Sequence, residues 1–158
     1  MRSRPETPDF VDRAPLVIRA ERTMPHTPER IFEALADTPS WKRWWPSLTI
    51  AEWTSAQEGG VGATRRVRVR GLEVHERFIA WEPGRRWGFT FLETNVPFAR
   101  AGVELVELDP DDDGTRVTYR MAVEPPRLLG VVLRLIRGGI RGGIEDGLAA
   151  LDAHLANP

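Results

Sequence analysis

Apolar residues along this chain change their spacing several times, and each change marks an element. Residues 16–24 alternate, with Leu16, Ile18 and Ala20 set against Val17, Arg19 and Glu21, the period of a half-buried strand. Thr27-Pro28-Glu29 then opens a helix. Thr27 suits the N-cap, Pro28 the first helical position, and Glu29 the positive end of the dipole. Ile31, Phe32, Leu35 and Ala36 form its apolar face. Pro39 interrupts it, and Ser40 is expected to cap a second short helix through Trp41, Trp44 and Trp45 that ends at Pro46. Period-two patterns return over residues 48–54, 64–70, 72–82, 86–93, 99–109 and 115–123. Between them lie turn signals at 57–62, Gly71, Pro83-Gly84 and 110–114. Strands joined by short turns imply an antiparallel meander.

Residues 128–155 return to the helical period. On a wheel of about 100° per residue, Leu129, Leu133, Ile136, Ile140, Ile144, Leu151 and Leu155 share one face. Gly139, Gly143 and Gly147 recur every four residues beside that row. A helical glycine costs about 0.8–1.0 kcal/mol relative to alanine. A helix that keeps three of them in register needs the space they leave, for a close backbone approach or a cavity wall. The meander has an apolar face that must be covered, and this is the one large apolar helix. The pattern therefore predicts an α+β domain, its sheet wrapped around the last helix with room between them.

Composition narrows the reading. The 158 residues suit one domain with a real core. Residues 1–14, polar apart from Phe10-Val11, are expected to form a flexible extension, leaving 15–158 as the domain. A net charge of −1 argues against bulk attraction to nucleic acid or to anionic membrane. The chain has no cysteine, which excludes disulfides and thiolate metal sites. His26, His75 and His154 are scattered and predict no metal site. Residues 1–14 lack the apolar run of a signal peptide, and no stretch is long and apolar enough to span a bilayer, so a cytoplasmic location is expected. Gly59-Gly60-Val61-Gly62 lacks the Lys-Ser/Thr of a phosphate loop. The units Arg137-Gly138-Gly139 and Arg141-Gly142-Gly143 lie inside a helical apolar period, unlike the RNA-binding tails with that composition. Their arginines exclude a spanning helix but leave transient docking on a lipid surface open.

Candidate chemistry is sparse. In the strand over 72–82, Glu76 shares the parity of Leu72, Val74, Phe78 and Ala80, which aims a carboxylate with the apolar set. Desolvation would raise its pKa unless it is paired. Two roles fit it: a ligand contact or general base, or a salt bridge to an arginine such as Arg68 or Arg120. Tyr119 lies with Val117, Met121 and Val123 on an interior face, where its hydroxyl needs a partner and could orient a ligand. Trp41, Trp44 and Trp45 form either an aromatic wall at a cavity mouth or a second small core.

The order of elements, together with Pro28-Glu29-Arg30-Ile31-Phe32, the stretch 41–46, Glu82-Pro83-Gly84-Arg85-Arg86, Asp113-Gly114-Thr115-Arg116-Val117-Thr118-Tyr119 and the Arg/Gly-rich last helix, resembles the SRPBCC superfamily. That superfamily includes START lipid-transfer domains, the major birch pollen allergen and bacterial polyketide cyclase/dehydrase-like proteins. The resemblance spans roughly residues 16–156. It implies a helix-grip fold, in which a curved seven-stranded antiparallel sheet grips the C-terminal helix, two short helices follow the first strand, and an apolar ligand cavity lies between sheet and helix. The expected function is binding of a hydrophobic small molecule, of lipid or polyketide-like character, without cofactor or metal. The strands would contribute Val67, Val69, Val74, Glu76, Phe78, Phe89 and Phe91 to the site. Tyr119 and Met121 would join them, with Trp41, Trp45, Ile136 and Ile140 from the helices. Two alternatives remain: a metal-free cyclase/dehydratase-type enzyme using Glu76 and Tyr119, and a lipid-transfer or membrane-surface docking module. Dimerisation stays open.

Overall fold

The computed structural model describes residues 1–157. Its elements run β1 (Leu16–Met24), α1 (Pro28–Ala36), α2 (Trp41–Trp44), β2 (Leu48–Trp53), β3 (Thr64–Val69), β4 (Leu72–Glu82), β5 (Arg86–Thr94), β6 (Ala101–Asp111), β7 (Gly114–Glu124) and α3 (Gly130–Ala156). The strands form one antiparallel sheet in the order β1-β7-β6-β5-β4-β3-β2. Strands β2 to β7 are a meander, and β1 completes the far edge beside β7. The two short helices carry the chain from one edge to the other, and α3 lies across the concave face. This is the helix-grip α+β fold.

Local chemistry explains the helix starts. The Thr27 hydroxyl accepts from the Arg30 amide at 3.4 Å with Pro28 at the first helical position. Ser40 does not cap α2. Its hydroxyl donates to the Asp37 carbonyl at 2.8 Å and accepts from Trp44 Nε1 at 3.3 Å, so it locks the turn between the helices.

The alternation in β4 is broken at Ile79. Phe78 pairs with Phe89 and Ala80 with Gly88, so Ile79 and Ala80 together oppose Gly88 in a bulge. Ala80 therefore packs on the convex face, and Trp81 turns inward against Phe32 and Phe78. The simple parity that placed Ala80 beside Glu76 and Trp81 opposite fails at that residue.

The sheet has two apolar faces. The concave face holds the main core with α1, α2 and the second half of α3. The convex face carries Ala101, Val103, Leu105 and Ala122, and a short 3-10 helix at Pro8–Asp12 covers them with Phe10 and Val11. In residues 1–14, for which composition predicts a flexible extension, Arg2 and Arg4 thus bridge to β5 and β6, and Phe10 and Val11 cover the convex face. The Ser3 amide donates to the Leu92 carbonyl at 2.9 Å and the Arg4 amide to the Arg100 carbonyl at 2.7 Å. The physical reason is burial: one aromatic ring and one valine answer an apolar sheet face that would otherwise meet water. Among the described residues, no helix is long and apolar enough to cross a membrane.

Candidate functional site

Between the concave face and α3 lies a cavity of about 520 Å³, within the range of small-molecule sites. Its wall brings together Trp41, Trp45, Val67, Val69, Val74, Glu76, Phe89, Tyr119, Met121, Ile136 and Ile140, all expected from sequence to face a ligand. Phe78 and Phe91 are not in the wall. Phe78 lies behind it among Trp53, Trp81 and Trp87, and Phe91 packs on Phe98. The tryptophans serve both roles considered for them. Trp41 stacks on Trp45 at 5.2 Å and on Trp87 at 5.4 Å, so wall and core are continuous. Trp44 faces away, stacked on His154.

Glycines on α3 set the cavity's helical side. An added Cβ at Gly139 or Gly143 would meet nothing within 4 Å, and both residues line the cavity. Gly147 differs: a Cβ there would fall 2.6 Å from the Trp45 ring. Two glycines leave open space, and the third admits an indole.

Polar groups reach the wall as two pairs. Arg65 Nε donates to Glu76 Oε2 at 2.6 Å, and the two residues are direct register partners on β3 and β4. Arg65, not Arg68 or Arg120, is therefore the partner of Glu76. Arg68 pairs with Glu73, and Arg120 with Asp12 and Glu107, away from the cavity. The Arg65 guanidinium is 1% exposed. It lies 4.6 Å from the Trp41 ring and 5.0–5.1 Å from Phe78, Trp87 and Phe89, and its Nη1 reaches Thr38 Oγ1 at 3.3 Å. Four ring faces and one carboxylate thus replace its water. In the second pair the Tyr119 hydroxyl donates to Glu104. Glu104 is half-buried, with its free surface toward the cavity.

Burial dominates the ionisation of these groups. Desolvation pushes the Glu76 carboxyl up to about 7, against the opposing pull of Arg65 and with a further push from Glu104. Desolvation also raises Glu104, opposed by the Tyr119 hydrogen bond and by Arg65. The Tyr119 phenol is pushed well above its usual range by burial and by the Glu104 charge. The floor can therefore hold a proton on a carboxyl near neutrality and offer both a donor and an acceptor to a ligand.

Residue spacing alone does not single out Arg65 or Glu104. Arg65 shares the parity of Val67 and Val69, and that was the available signal. Glu104 shares the parity of Val106 and Leu108, but β6 is apolar on both faces, which masks the alternation. No cluster of His, Cys, Asp or Glu among the described residues could hold a metal ion.

A curved sheet gripping a long C-terminal helix around a largely apolar cavity defines the SRPBCC class of domain. Within it, the chain belongs to the family described as polyketide cyclase / dehydrase and lipid transport, whose model matches residues 15–156. An uncharacterized protein of Mycobacterium tuberculosis is 39% identical over 114 residues, 72% of this chain and 68% of that one. TTHA0849 from Thermus thermophilus superposes with a TM-score of 0.72 at 22% identity, covering 89% of this chain and 97% of the other. Ara h 8.0201 superposes with a TM-score of 0.70 at 13% identity, covering 90% and 99%. These structural likenesses concern the fold alone.

Proposed function

We propose that this protein binds a largely apolar small molecule in the cavity, with one polar end turned toward Glu76, Glu104 and Tyr119. The observation that carries the reading is the contrast within the wall. It is aliphatic and aromatic nearly throughout, and the Arg65–Glu76 and Tyr119–Glu104 pairs meet it from the sheet side. Apolar burial supplies affinity at about 25 cal/mol per Å² removed from water, and the polar pairs select orientation. The family description, which joins polyketide chemistry with lipid transport, supports a ligand of that general character. Native mass spectrometry of the purified protein tests it. The expected spectrum contains a co-purifying mass of lipid or polyketide type that denaturation releases.

A second reading, a cyclase/dehydratase-type enzyme, draws on one observation. The Glu76 carboxyl, pushed up to about 7, sits in the range where a group serves as acid or base at neutral pH. Tyr119 would then turn its one hydroxyl proton from Glu104 to a developing enolate oxygen. Glu76→Gln separates the readings: an enzyme loses turnover while keeping binding, whereas a carrier loses affinity modestly.

A further inference from the structure

The first half of α3 is apolar on its solvent side as well as toward the core. A helix covering a cavity should be polar where it faces water. Here the exposed positions of residues 128–142 include Leu128, Val131, Val132, Leu135 and Ile136, interleaved with the exposed Arg134, Arg137 and Arg141. Leu128 is 92% exposed, Leu135 79% and Val131 63%. Over the second half the outward positions include Glu145 and Asp146 and the usual pattern returns.

Charge is segregated in the same way. Arg127, Arg134, Arg137 and Arg141 all lie before residue 142, and the acids of the helix all come later. The ion pairs among the described residues use other arginines, mostly on the sheet and the N-terminal segment. Arg70, at the β3–β4 turn, also stands outside them. The helix starts with no side-chain cap and no acidic residue in its first turn, although both would stabilise it. A net charge of −1 conceals this local excess of cations.

The patch adjoins the cavity opening. Of the residues lining the cavity, Arg70, Ile136 and Gly139 are exposed, which places the opening between the β3–β4 turn and the first half of α3. Apolar side chains flanked by unpaired arginines match the boundary of an anionic bilayer, where acyl chains lie just beneath negative headgroups. A protein partner would need acidic groups around an apolar centre; the bilayer offers both without further specification.

We propose that the first half of α3, with Arg70, docks the cavity opening onto an anionic lipid surface. The proposal rests on the cavity being a ligand site, because docking there lets a ligand pass between bilayer and protein without crossing water.

Co-sedimentation of the full chain tests it, using vesicles of phosphatidylcholine alone and of phosphatidylcholine mixed with phosphatidylglycerol. Sedimentation is expected with the mixed vesicles, weakening as salt rises. Val131→Ser with Leu135→Ser, and separately Arg134→Glu with Arg137→Glu, should each reduce it by about tenfold or more. Neither pair lines the cavity, so uptake of the neutral probe N-phenyl-1-naphthylamine in solution should persist in both variants. The proposal is overturned if the wild type ignores mixed vesicles, or if the variants bind them as the wild type does. It is also overturned if light scattering shows a dimer that Leu135→Ser dissolves, since a second copy then covers the patch. Loss of probe uptake with vesicle binding intact would sink the cavity reading and leave the docking surface standing.

Discussion

Arg65 and Glu76 face each other from paired positions on β3 and β4, 2.6 Å apart and almost wholly withdrawn from water. Neither charge could be left there alone. Arg65→Met should destabilise the protein by about 3–5 kcal/mol, the usual cost of stranding one member of a buried pair. Arg65→Met combined with Glu76→Leu should recover much of that loss, since two apolar side chains need no counter-charge. Urea denaturation of the three proteins checks the pattern, and strict additivity of the two substitutions would count against the pair.

The same burial makes stability depend on pH. The Glu76 carboxyl is raised from an ordinary 4.5 to about 7. The folded protein therefore holds more protons than the unfolded chain between those values, and stability falls as pH rises through that window. The gain is fully present below about 4.5 and gone above about 7, an amplitude on the order of 3 kcal/mol. Glu104 is raised in the same direction. Glu76→Gln should flatten much of the slope between pH 5 and 7, measured by denaturant midpoints across pH.

Gly143 and Gly147 should respond in opposite ways to the same methyl group. Gly143→Ala adds a Cβ into open space and should stabilise the helix by roughly 0.5–1 kcal/mol. Gly147→Ala drives a Cβ to 2.6 Å from the Trp45 ring and should cost about 1–3 kcal/mol by overpacking. Thermal unfolding of both variants decides it, and equal effects would contradict the assignment of Gly143 to cavity and Gly147 to core.

Phe10 tests the convex face. It is 2% exposed, and Phe10→Ala should cost about 3–5 kcal/mol. Loss of well under 1 kcal/mol in denaturation would show that residues 1–14 contribute little to the domain.

Much of this architecture is legible in residue spacing. The strands follow from alternation, α1 from Thr27-Pro28-Glu29, and the cavity from the repeat of Gly139 and Gly143. Three things were hidden for physical reasons. The bulge at Ile79 flips Ala80 and Trp81, and no glycine or proline marks it in β4. Phe10 and Val11 are too short a signal to announce a docking segment until the convex face they cover is known. Arg65 stands in a run with Arg66, Arg68 and Arg70, and only the aromatic cage of Trp41, Phe78, Trp87 and Phe89, assembled from α2, β4 and β5, sets it apart from its solvated neighbours.

The central claim is that open space beside Gly143 is ligand space. Titration of N-phenyl-1-naphthylamine into wild type and Gly143→Leu, with folding of both verified by thermal unfolding, tests it most directly. The account predicts saturable one-to-one uptake by the wild type and at least about tenfold weaker uptake by a folded Gly143→Leu, whose side chain occupies the cavity. Equal uptake by the two proteins, or none by the wild type, would contradict it.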